Sequence, residues 1–390
     1  MRILVVSPQP FYSARGTPLS VYYRTLVLSE LGARIDLLTY GDGVDVDIPN
    51  VRIVRIPRIR WLGPVKIGPS PLKAVLDCIM LMWTTGLLMQ RRYDIVHAHE
   101  ESIFWCVFLK PLFRFKLVYD MHSSLPQQLI NFRFSSWRPL IRLFEFLERI
   151  ALRRSDGVIT ICPDLQEYAL QQGIQRDRHF LIENSIFEPV RLSGRAKPGH
   201  CECRHETPAF EGPYILYAGT FEPYQGIDLL LRAFALVHAK RPNTVLVLIG
   251  GTPAQVREMK RLVTDLGIGS STFFLGPRPK EDVLCYTRQA EVLVSPRREG
   301  TNTPLKVYEQ LASGKPLVAT NIWSHTQVLN GDVCILVEPE PESMAQGIQR
   351  AIDNPEEAGR IAVAARRLFE VAYSRDKYVQ KMRRLLEMLE

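Results

Sequence analysis

Residues 292–320 have the sequence VLVSPRREGTNTPLKVYEQLASGKPLVAT. A short apolar run, Val292–Ser295, is followed by a polar loop, by a helical pattern over Leu305–Ala312 and by a second apolar run, Leu317–Thr320. Continuous apolar runs of this length are typical of strands that are buried on both faces, and strands that alternate with helices form parallel sheets. The stretch therefore predicts a strand–helix–strand unit of a parallel α/β sheet.

The same alternation extends along the whole chain and is interrupted once, by a stretch rich in proline, glycine and charge that has no apolar periodicity. We therefore predict two Rossmann-like, doubly wound parallel-sheet domains that face a cleft. The predicted limits are 1–188 for the first domain, 189–212 for a linker, 213–372 for the second domain and 373–390 for a final helix that could pack back on the first domain. The predicted strands are Ile3–Ser7, Ile35–Thr39, Val51–Ile56, Ile95–Ala98, Leu117–Tyr119, Val158–Ile161, Phe180–Ile182, Tyr214–Ala218, Val245–Ile249, Phe273–Leu275, Val292–Ser295, Leu317–Thr320 and Cys334–Val337.

The amino-acid composition restricts the kinds of molecule that the chain is expected to bind. A chain of 390 residues with 46% apolar and 23% charged residues is expected to fold into two globular domains. The net charge of +8 suits a phosphate-bearing ligand or an anionic membrane surface. The basic residues are spread out and not interleaved with aromatic residues, so we expect no nucleic acid partner.

The apolar stretches predict a cytoplasmic protein that is peripheral at the inner membrane face. The first residues lack the pattern of a secretory signal peptide, and the longest apolar stretch, Ala74–Met89, contains Asp77 and falls short of a bilayer span. Ile56–Leu62 and Leu72–Arg92 combine apolar groups with cations, which is a pattern of interfacial anchors. The alternative for the second segment is a core helix with a solvated end.

The loop and helix within 292–320 predict an anion site. The first turn of a helix exposes backbone N–H groups, and Lys306 adds a cation near the helix start. Such a site suits a diphosphate. Glu309, farther along the same helix, is placed to accept hydrogen bonds from vicinal hydroxyls such as those of a ribose.

This segment resembles the donor-site signature of the family 4 retaining glycosyltransferases, which have the GT-B fold. Pro304, Glu309 and the Gly314-Lys315-Pro316 run match that signature. The resemblance implies that Glu309 contacts the nucleotide ribose and that an earlier glutamate contacts the donor sugar. The family leaves seven residues between these glutamates, whereas nine lie between Glu299 and Glu309 here. Either Glu299 still reaches the sugar, or Thr301 and its neighbours Asn302 and Thr303 have taken over its contacts, with Leu305 also at the donor.

Tyr217–Asp228 is similar to the first loop of the family's second domain, which implies that Gly219 and Thr220 lie against the donor phosphates. Many members supply an arginine and a lysine from this loop, where this chain has Thr220 and Gln225. We therefore expect the phosphate charge to be balanced from elsewhere. The candidates are Lys306, Arg297 and Arg298.

Four further residues are assigned by the resemblance. Gly250 and Arg278 follow buried strands of the second domain, and Gly16 belongs to the loop that closes on the donor diphosphate. His122 follows the strand Leu117–Tyr119 and corresponds to a histidine that faces the donor sugar. A neutral imidazole there can donate a hydrogen bond to a hydroxyl or to the leaving group.

No metal and no other cofactor is expected. His97 and His99 would share one face of a strand, but the sequence offers no third ligand beside them. We interpret Asp45-Val46-Asp47 as a solvated turn and the His200–His205 cluster as part of the linker. Glu100 or Glu101 is a candidate acceptor-side base.

The predicted function is that of a glycosyltransferase in cell-surface polysaccharide biosynthesis. It would move a sugar from a nucleotide-diphosphate-sugar donor to a glycan, lipid-linked or small-molecule acceptor, with retention and without metal. Two alternatives stay open at this point. One is a nucleotide-sugar epimerase or hydrolase of the same fold, and the other is a non-catalytic nucleotide-sugar-binding subunit. No G-x-G-x-x-G follows the first strand, which argues against a dehydrogenase.

Overall fold

The computed structural model describes residues 1–13, 16–58, 70–126, 138–184, 187, 190 and 212–390. The chain forms two compact units, one of Met1–Lys197 with Arg375–Glu390 and one of Pro198–Ser374. Each unit is a parallel sheet with helices on its faces, so the predicted pair of Rossmann-like domains is confirmed. The predicted linker, 189–212, lies almost entirely outside the described residues.

The first unit contains a seven-stranded parallel sheet with the order β3-β2-β1-β4-β5-β6-β7. Its strands are β1 Arg2–Ser7, β2 Arg34–Thr39, β3 Val51–Arg55, β4 Ile95–His99, β5 Lys116–Met121, β6 Gly157–Thr160 and β7 His179–Leu181. Its helices are α1 Gly16–Glu30, α2 Pro71–Gln90, α3 Ile103–Phe113, α4 Arg138–Arg154 and α5 Pro163–Gln171. The strand order reverses between β1 and β4, which are hydrogen-bonded neighbours.

The second unit contains a six-stranded parallel sheet with the order β10-β9-β8-β11-β12-β13. Its strands are β8 Tyr214–Ala218, β9 Val245–Ile249, β10 Thr272–Gly276, β11 Val292–Ser295, β12 Leu317–Thr320 and β13 Ile335–Val337. Its helices are α6 Ile227–Lys240, α7 Pro253–Asp265, α8 Lys280–Gln289, α9 Leu305–Ser313, α10 Trp323–Thr326, α11 Pro341–Asp353 and α12 Pro355–Leu368. Here the order reverses between β8 and β11.

The last helix, α13 Arg375–Leu389, packs on the first unit after a π-helical turn, Phe369–Tyr373. Its buried side chains Tyr378, Met382 and Leu385 join the apolar cluster that covers one face of the first sheet. The helix packs closely on Gly157, where an added Cβ would lie 2.9 Å from Leu385 Cδ1. The C-terminal segment is therefore part of the first unit's core.

Candidate functional site

The strongest anion site lies where the strand order of the second sheet reverses. Ligands of doubly wound sheets bind beyond the carboxyl ends of strands at such a point. The loop that follows β11 ends at Pro304, and helix α9 begins at Leu305. The free backbone N–H groups of the first turn of α9 carry partial positive charge.

Lys306, in that first turn, is partly buried and places its ammonium group over β8. Its Nζ donates a hydrogen bond of 2.9 Å to Gln225 Oε1 and lies 4.4 Å from the centre of the Tyr217 ring. Within the described residues, no carboxylate lies within ion-pair distance of it. Burial, together with the charge of Arg297, lowers the pKa of Lys306 to about 7. A desolvated ammonium group without a carboxylate is suited to an anionic ligand.

Of the two arginines in the loop, only one remains available to a ligand. Arg298 forms an ion pair of 2.9 Å with Asp228, so its charge is already balanced. Arg297 donates from Nε to the carbonyl oxygen of Glu299 at 2.6 Å, and its guanidinium group lies 5.2 Å from the centre of the Tyr224 ring. Lys306 and Arg297 thus remain from the three cations that the sequence suggests for the phosphates.

A buried histidine that the sequence did not point to supports this loop. His325, in α10, lies with Nε2 3.0 Å from Ser295 Oγ and Nδ1 2.9 Å from the carbonyl oxygen of Thr320. The Thr320 hydroxyl in turn donates to the carbonyl oxygen of Arg297. These bonds join the ends of β11 and β12 to the loop that carries Arg297. Only tertiary contacts identify His325, because nothing in its local sequence is distinctive.

The acidic and hydroxyl residues assigned to the donor have mixed surroundings. Glu309 is half-buried and forms an ion pair of 3.1 Å with Lys280 of α8. The Thr303 hydroxyl is buried and has no hydrogen-bond partner among the residues that the structure describes. Glu299 and Thr301 are both exposed. Asn302 and Leu305, between them and Glu309, are partly buried.

The ends of β8, β9 and β10 meet through their glycines. The Gly219 N–H donates to the carbonyl oxygen of Ile249 at 3.0 Å, and the Gly250 N–H donates to the carbonyl oxygen of Gly276 at 2.9 Å. Gly250 has a φ of +119°, and an added Cβ would lie 1.9 Å from the carbonyl oxygen of Gly219. The loops after β8, β9 and β10 are thus packed backbone to backbone at one edge of the sheet.

Thr220 and Arg278 lie on the outer parts of these loops and are exposed. The carbonyl oxygen of Thr220 accepts a hydrogen bond of 2.7 Å from the Tyr217 hydroxyl, whose ring lies beneath Lys306. The roles of both residues at the donor stay predictions.

The first unit has its own buried polar cluster at the carboxyl ends of β4 and β5. Arg24, on α1, is fully buried and forms an ion pair of 2.8 Å with the fully buried Asp120. It also donates to the Tyr378 hydroxyl and to the carbonyl oxygen of Ile182, each at 2.7 Å. Burial alone would raise the pKa of Asp120, but Arg24 and the neighbouring imidazoles outweigh it and hold that pKa well below its usual range. Gly16, which the resemblance assigns to the donor diphosphate, is the first residue of α1.

His122 lies in this cluster, immediately after β5. Its Nε2 is 3.1 Å from His99 Nδ1 and 3.5 Å from Asp120 Oδ1. Burial, partly offset by Asp120, lowers the pKa of His122 to about 4. The imidazole is therefore neutral at physiological pH, which is the state that its predicted role requires.

The predicted pair of histidines does have a third potential metal ligand, contrary to the sequence interpretation. The rings of His97 and His99 stack 4.7 Å apart, and ligand atoms of His97, His99 and Asp120 all lie within 4.8 Å of one another. The ligand was missed because Asp120 comes from the neighbouring strand β5. The arrangement fits a guanidinium group better than a metal, since Arg24 already bonds the Asp120 oxygen that faces His97.

A second polar cluster follows β4. Lys73 of α2 forms an ion pair of 2.5 Å with Glu101. Glu100 adopts a left-handed backbone conformation with φ of +49°. Burial, with the charges of Glu101 and Asp77 opposing that of Lys73, raises the pKa of Glu100 to about 7. A carboxyl group with this pKa is suited to exchange protons near neutral pH.

Family models match both units. Residues 204–368 match the model described as glycosyl transferases group 1, and residues 24–185 match the glycosyl transferase 4-like domain. The chain is 30% identical over 360 residues to the D-inositol 3-phosphate glycosyltransferase of Corynebacterium kroppenstedtii, with 86% of this chain and 77% of that protein covered.

Solved structures share the fold over the full length. Sucrose-phosphate synthase from Thermosynechococcus elongatus has a TM-score of 0.74 at 21% identity, with 100% of this chain and 98% of that chain covered. Anabaena Alr3699/HepE in complex with UDP-glucose has a TM-score of 0.68 at 17% identity, with 99% of each chain covered. At these identities, the likeness establishes the GT-B architecture.

Proposed function

Because the chain belongs to the group 1 glycosyltransferases, we propose that it transfers a sugar from a nucleoside diphosphate sugar whose pyrophosphate binds at the start of α9. The single observation that carries this proposal is the pair Lys306 and Arg297. Lys306 lies in the first turn of α9, Arg297 lies close enough for its charge to lower the pKa of Lys306, and neither has a carboxylate partner among the described residues. HepE, which binds UDP-glucose, provides the precedent for a nucleotide-sugar donor on this fold.

The proposed chemistry places electrostatic stabilisation on the leaving group. The bond between the sugar C1 and the diphosphate oxygen breaks, the acceptor oxygen forms a new bond to C1, and the acceptor proton moves to the departing phosphate. Negative charge develops on the diphosphate as it leaves. Lys306, Arg297 and the backbone N–H groups in the first turn of α9 would stabilise the negative charge on the diphosphate as it develops. We expect retention of the anomeric configuration and no metal requirement.

The proposals for the acceptor and the location rest on two further observations. The cluster around Glu100 offers carboxylates that can accept hydrogen bonds from sugar hydroxyls. The net charge of +8 favours an anionic surface. We therefore propose a hydroxyl acceptor on a glycan, a lipid-linked sugar or a small molecule. We place the protein in cell-surface polysaccharide synthesis, in the cytoplasm, at the inner face of the membrane.

A panel of nucleoside diphosphates tests the donor site. UDP, GDP and ADP are titrated in thermal-unfolding experiments, because a ligand that binds only the folded state stabilises it by about 2.7 kcal/mol at a hundredfold excess over Kd. The proposal expects a concentration-dependent rise in Tm for at least one nucleotide, and a smaller rise for Lys306→Met. If no nucleoside diphosphate raises Tm, the proposal is wrong.

The same donors distinguish the two alternative functions, neither of which the comparisons favour. The sugar nucleotide of the selected base is incubated with and without a mixture of glycan acceptors, and products are separated by chromatography that resolves epimers and are identified by mass. A transferase yields a glycosylated acceptor. An epimerase or hydrolase consumes donor at the same rate without acceptor, and a binding subunit leaves donor and acceptor unchanged.

A further inference from the structure

Three adjacent helices of the first unit present apolar side chains to solvent. Helix α3 contacts both α2 and α4, so the three lie side by side on one face of the sheet. Trp105 of α3 donates a hydrogen bond to Thr84 of α2, and the ring of Phe104 in α3 lies 5.9 Å from that of Phe144 in α4. We call the outer surface of α2, α3 and α4 the three-helix face.

Helix α2 contributes an outer stripe without charge. Leu76, Met80, Thr84, Leu87 and Leu88 are buried toward the sheet. The opposite side exposes the apolar or uncharged side chains Ala74, Val75, Cys78, Leu81, Met82 and Met89. Met89 is 76% exposed and Met82 is 60% exposed. A surface helix of a soluble domain normally carries charged residues on its solvent side, so this stripe is unusual.

The neighbouring helices extend the apolar surface. Leu112 and Phe108 of α3 are 74% and 51% exposed, and Phe146 and Leu143 of α4 are 58% and 50% exposed. Helix α4 is amphipathic, and its solvent side combines these two apolar residues with arginines and one carboxylate, Glu145. The exposed apolar side chains therefore continue across three elements and are not isolated.

Cations surround these apolar groups. On α4, the exposed residues Arg142, Phe146, Arg149 and Arg153 are spaced by four, three and four positions and so lie along one side of the helix. Arg92 lies beyond the end of α2 and Arg114 follows the end of α3, whereas Arg91 forms an ion pair with Asp36. Apolar groups flanked by arginines are the composition of elements that lie in the headgroup region of a membrane.

We propose that the three-helix face docks on an anionic lipid bilayer, with its apolar side chains in the headgroup region and its arginines on lipid phosphates. Among the described residues, α2 alone is long and apolar enough to cross a membrane, but only by length and composition. Its inner side is held in the core of the first unit, which favours a position parallel to the bilayer surface. In a second copy docked through the same face, the arginines of α4 would approach one another, which disfavours self-association.

This proposal rests on the proposed function and extends it, because the docked three-helix face would bring the protein to a lipid-linked acceptor in the membrane. The predicted anchor Leu72–Arg92 is part of this face, whereas most of Ile56–Leu62 lies outside the described residues. Vesicle binding needs neither donor nor acceptor, and nucleotide binding needs no vesicles. The two proposals can therefore fail separately.

Flotation of the full chain on vesicles tests the face. Vesicles of phosphatidylcholine alone are compared with vesicles that also contain phosphatidylglycerol, at low and high salt. We expect binding to the anionic vesicles that high salt weakens. The double variant Arg142→Gln/Arg149→Gln should bind about 25-fold more weakly, at about fivefold for each arginine. Met82→Glu/Phe146→Glu should abolish binding.

A matched control uses exposed apolar residues elsewhere. Val363 and Val371, in the second unit, are 70% and 62% exposed, and Val363→Glu/Val371→Glu should float like the wild type. All variants should keep the wild-type Tm and nucleotide affinity, which excludes misfolding. The proposal is overturned if the wild type stays soluble with anionic vesicles, or if both variants of the face float normally. It is also overturned if light scattering shows a dimer that Met82→Glu/Phe146→Glu dissociates.

Discussion

Replacing Lys306 by methionine separates the contribution of its ammonium group to nucleotide binding from the destabilisation that burial of this group causes in the folded protein. The substitution keeps the length and apolar stem of the side chain but removes the ammonium group over Tyr217. A hydrogen bond to a charged group contributes about 1.5–3 kcal/mol. We therefore expect the affinity for the preferred nucleoside diphosphate to fall by about 10- to 150-fold.

The pH dependence of binding provides a sharper signature. In the free protein the pKa of Lys306 is about 7, and a bound diphosphate should raise it. Below that pH the lysine is already charged, so its contribution to affinity is constant. Above it, binding must take up a proton, and affinity should fall by up to about tenfold per pH unit until the pKa of the complex is reached.

Calorimetric titration measures both effects. Titrations at about pH 8.5 in two buffers of different ionisation enthalpy should report uptake of nearly one proton for the wild type. Lys306→Met should lack that uptake, and phosphate titration is shared by both proteins. Lys315→Met, at the opposite end of α9, is the matched control and should behave like the wild type. Equal affinities of wild type and Lys306→Met at about pH 6.5 would refute the reasoning.

Without ligand, the stability of the folded wild type should increase with pH, whereas its affinity for the nucleotide should decrease. Because burial lowers the pKa of Lys306 in the folded state, the unfolded chain binds more protons between that pKa and the ordinary lysine value. Wild-type stability on account of this group should therefore rise as the pH increases above about 7. In thermal-unfolding scans without ligand, Lys306→Met should have a higher Tm than the wild type at neutral pH. This difference in Tm should be smaller at high pH.

Five further substitutions, with one control, test other parts of the structure. Arg24→Met leaves Asp120 buried without its guanidinium group and should reduce the free energy of unfolding by about 3–5 kcal/mol in urea titrations, and a loss below about 1 kcal/mol would contradict the buried ion pair. Gly250→Ala forces a Cβ against the carbonyl oxygen of Gly219 and should reduce the free energy of unfolding by about 1–3 kcal/mol. Gly359→Ala, in open space on α12, should leave the free energy of unfolding unchanged or increase it. His122→Ala should lower kcat for transfer by about ten- to a hundredfold with unchanged nucleotide affinity, and an unchanged kcat would remove His122 from the reaction. Glu299→Ala and Thr301→Ala are compared by KM and kcat for the sugar nucleotide. The larger loss should identify the residue that contacts the sugar, and a small loss in both variants would show that neither residue does.

Sequence reasoning predicted the two sheets because a strand buried on both faces has a local pattern. Val292–Ser295 and Leu317–Thr320 were placed at their observed limits on apolar runs alone. The helix that starts at Leu305 was also predicted, since Pro304 precedes an amphipathic pattern. In contrast, α3, α5, α10, α11 and α12 were not assigned; the nearly continuous apolar run of α3, for example, has no helical period.

The site was predicted less completely because its contacts join distant parts of the chain. Lys306 could be assigned from its place at a helix start, but its partner Gln225 lies on another loop. Arg24 carries no local signal, and only the meeting of α1 with β5 and α13 makes it the partner of Asp120. The same holds for His325, which acts through the ends of two strands.

The binding of pyrophosphate at the start of α9 is tested most directly by a crystal structure with the preferred nucleoside diphosphate. We predict phosphate oxygens within hydrogen-bond distance of Lys306 Nζ and of backbone N–H groups in the first turn of α9. Lys306 should then have exchanged its bond to Gln225 for one to the ligand. A diphosphate bound elsewhere, with the bond from Lys306 to Gln225 intact, would contradict the proposal.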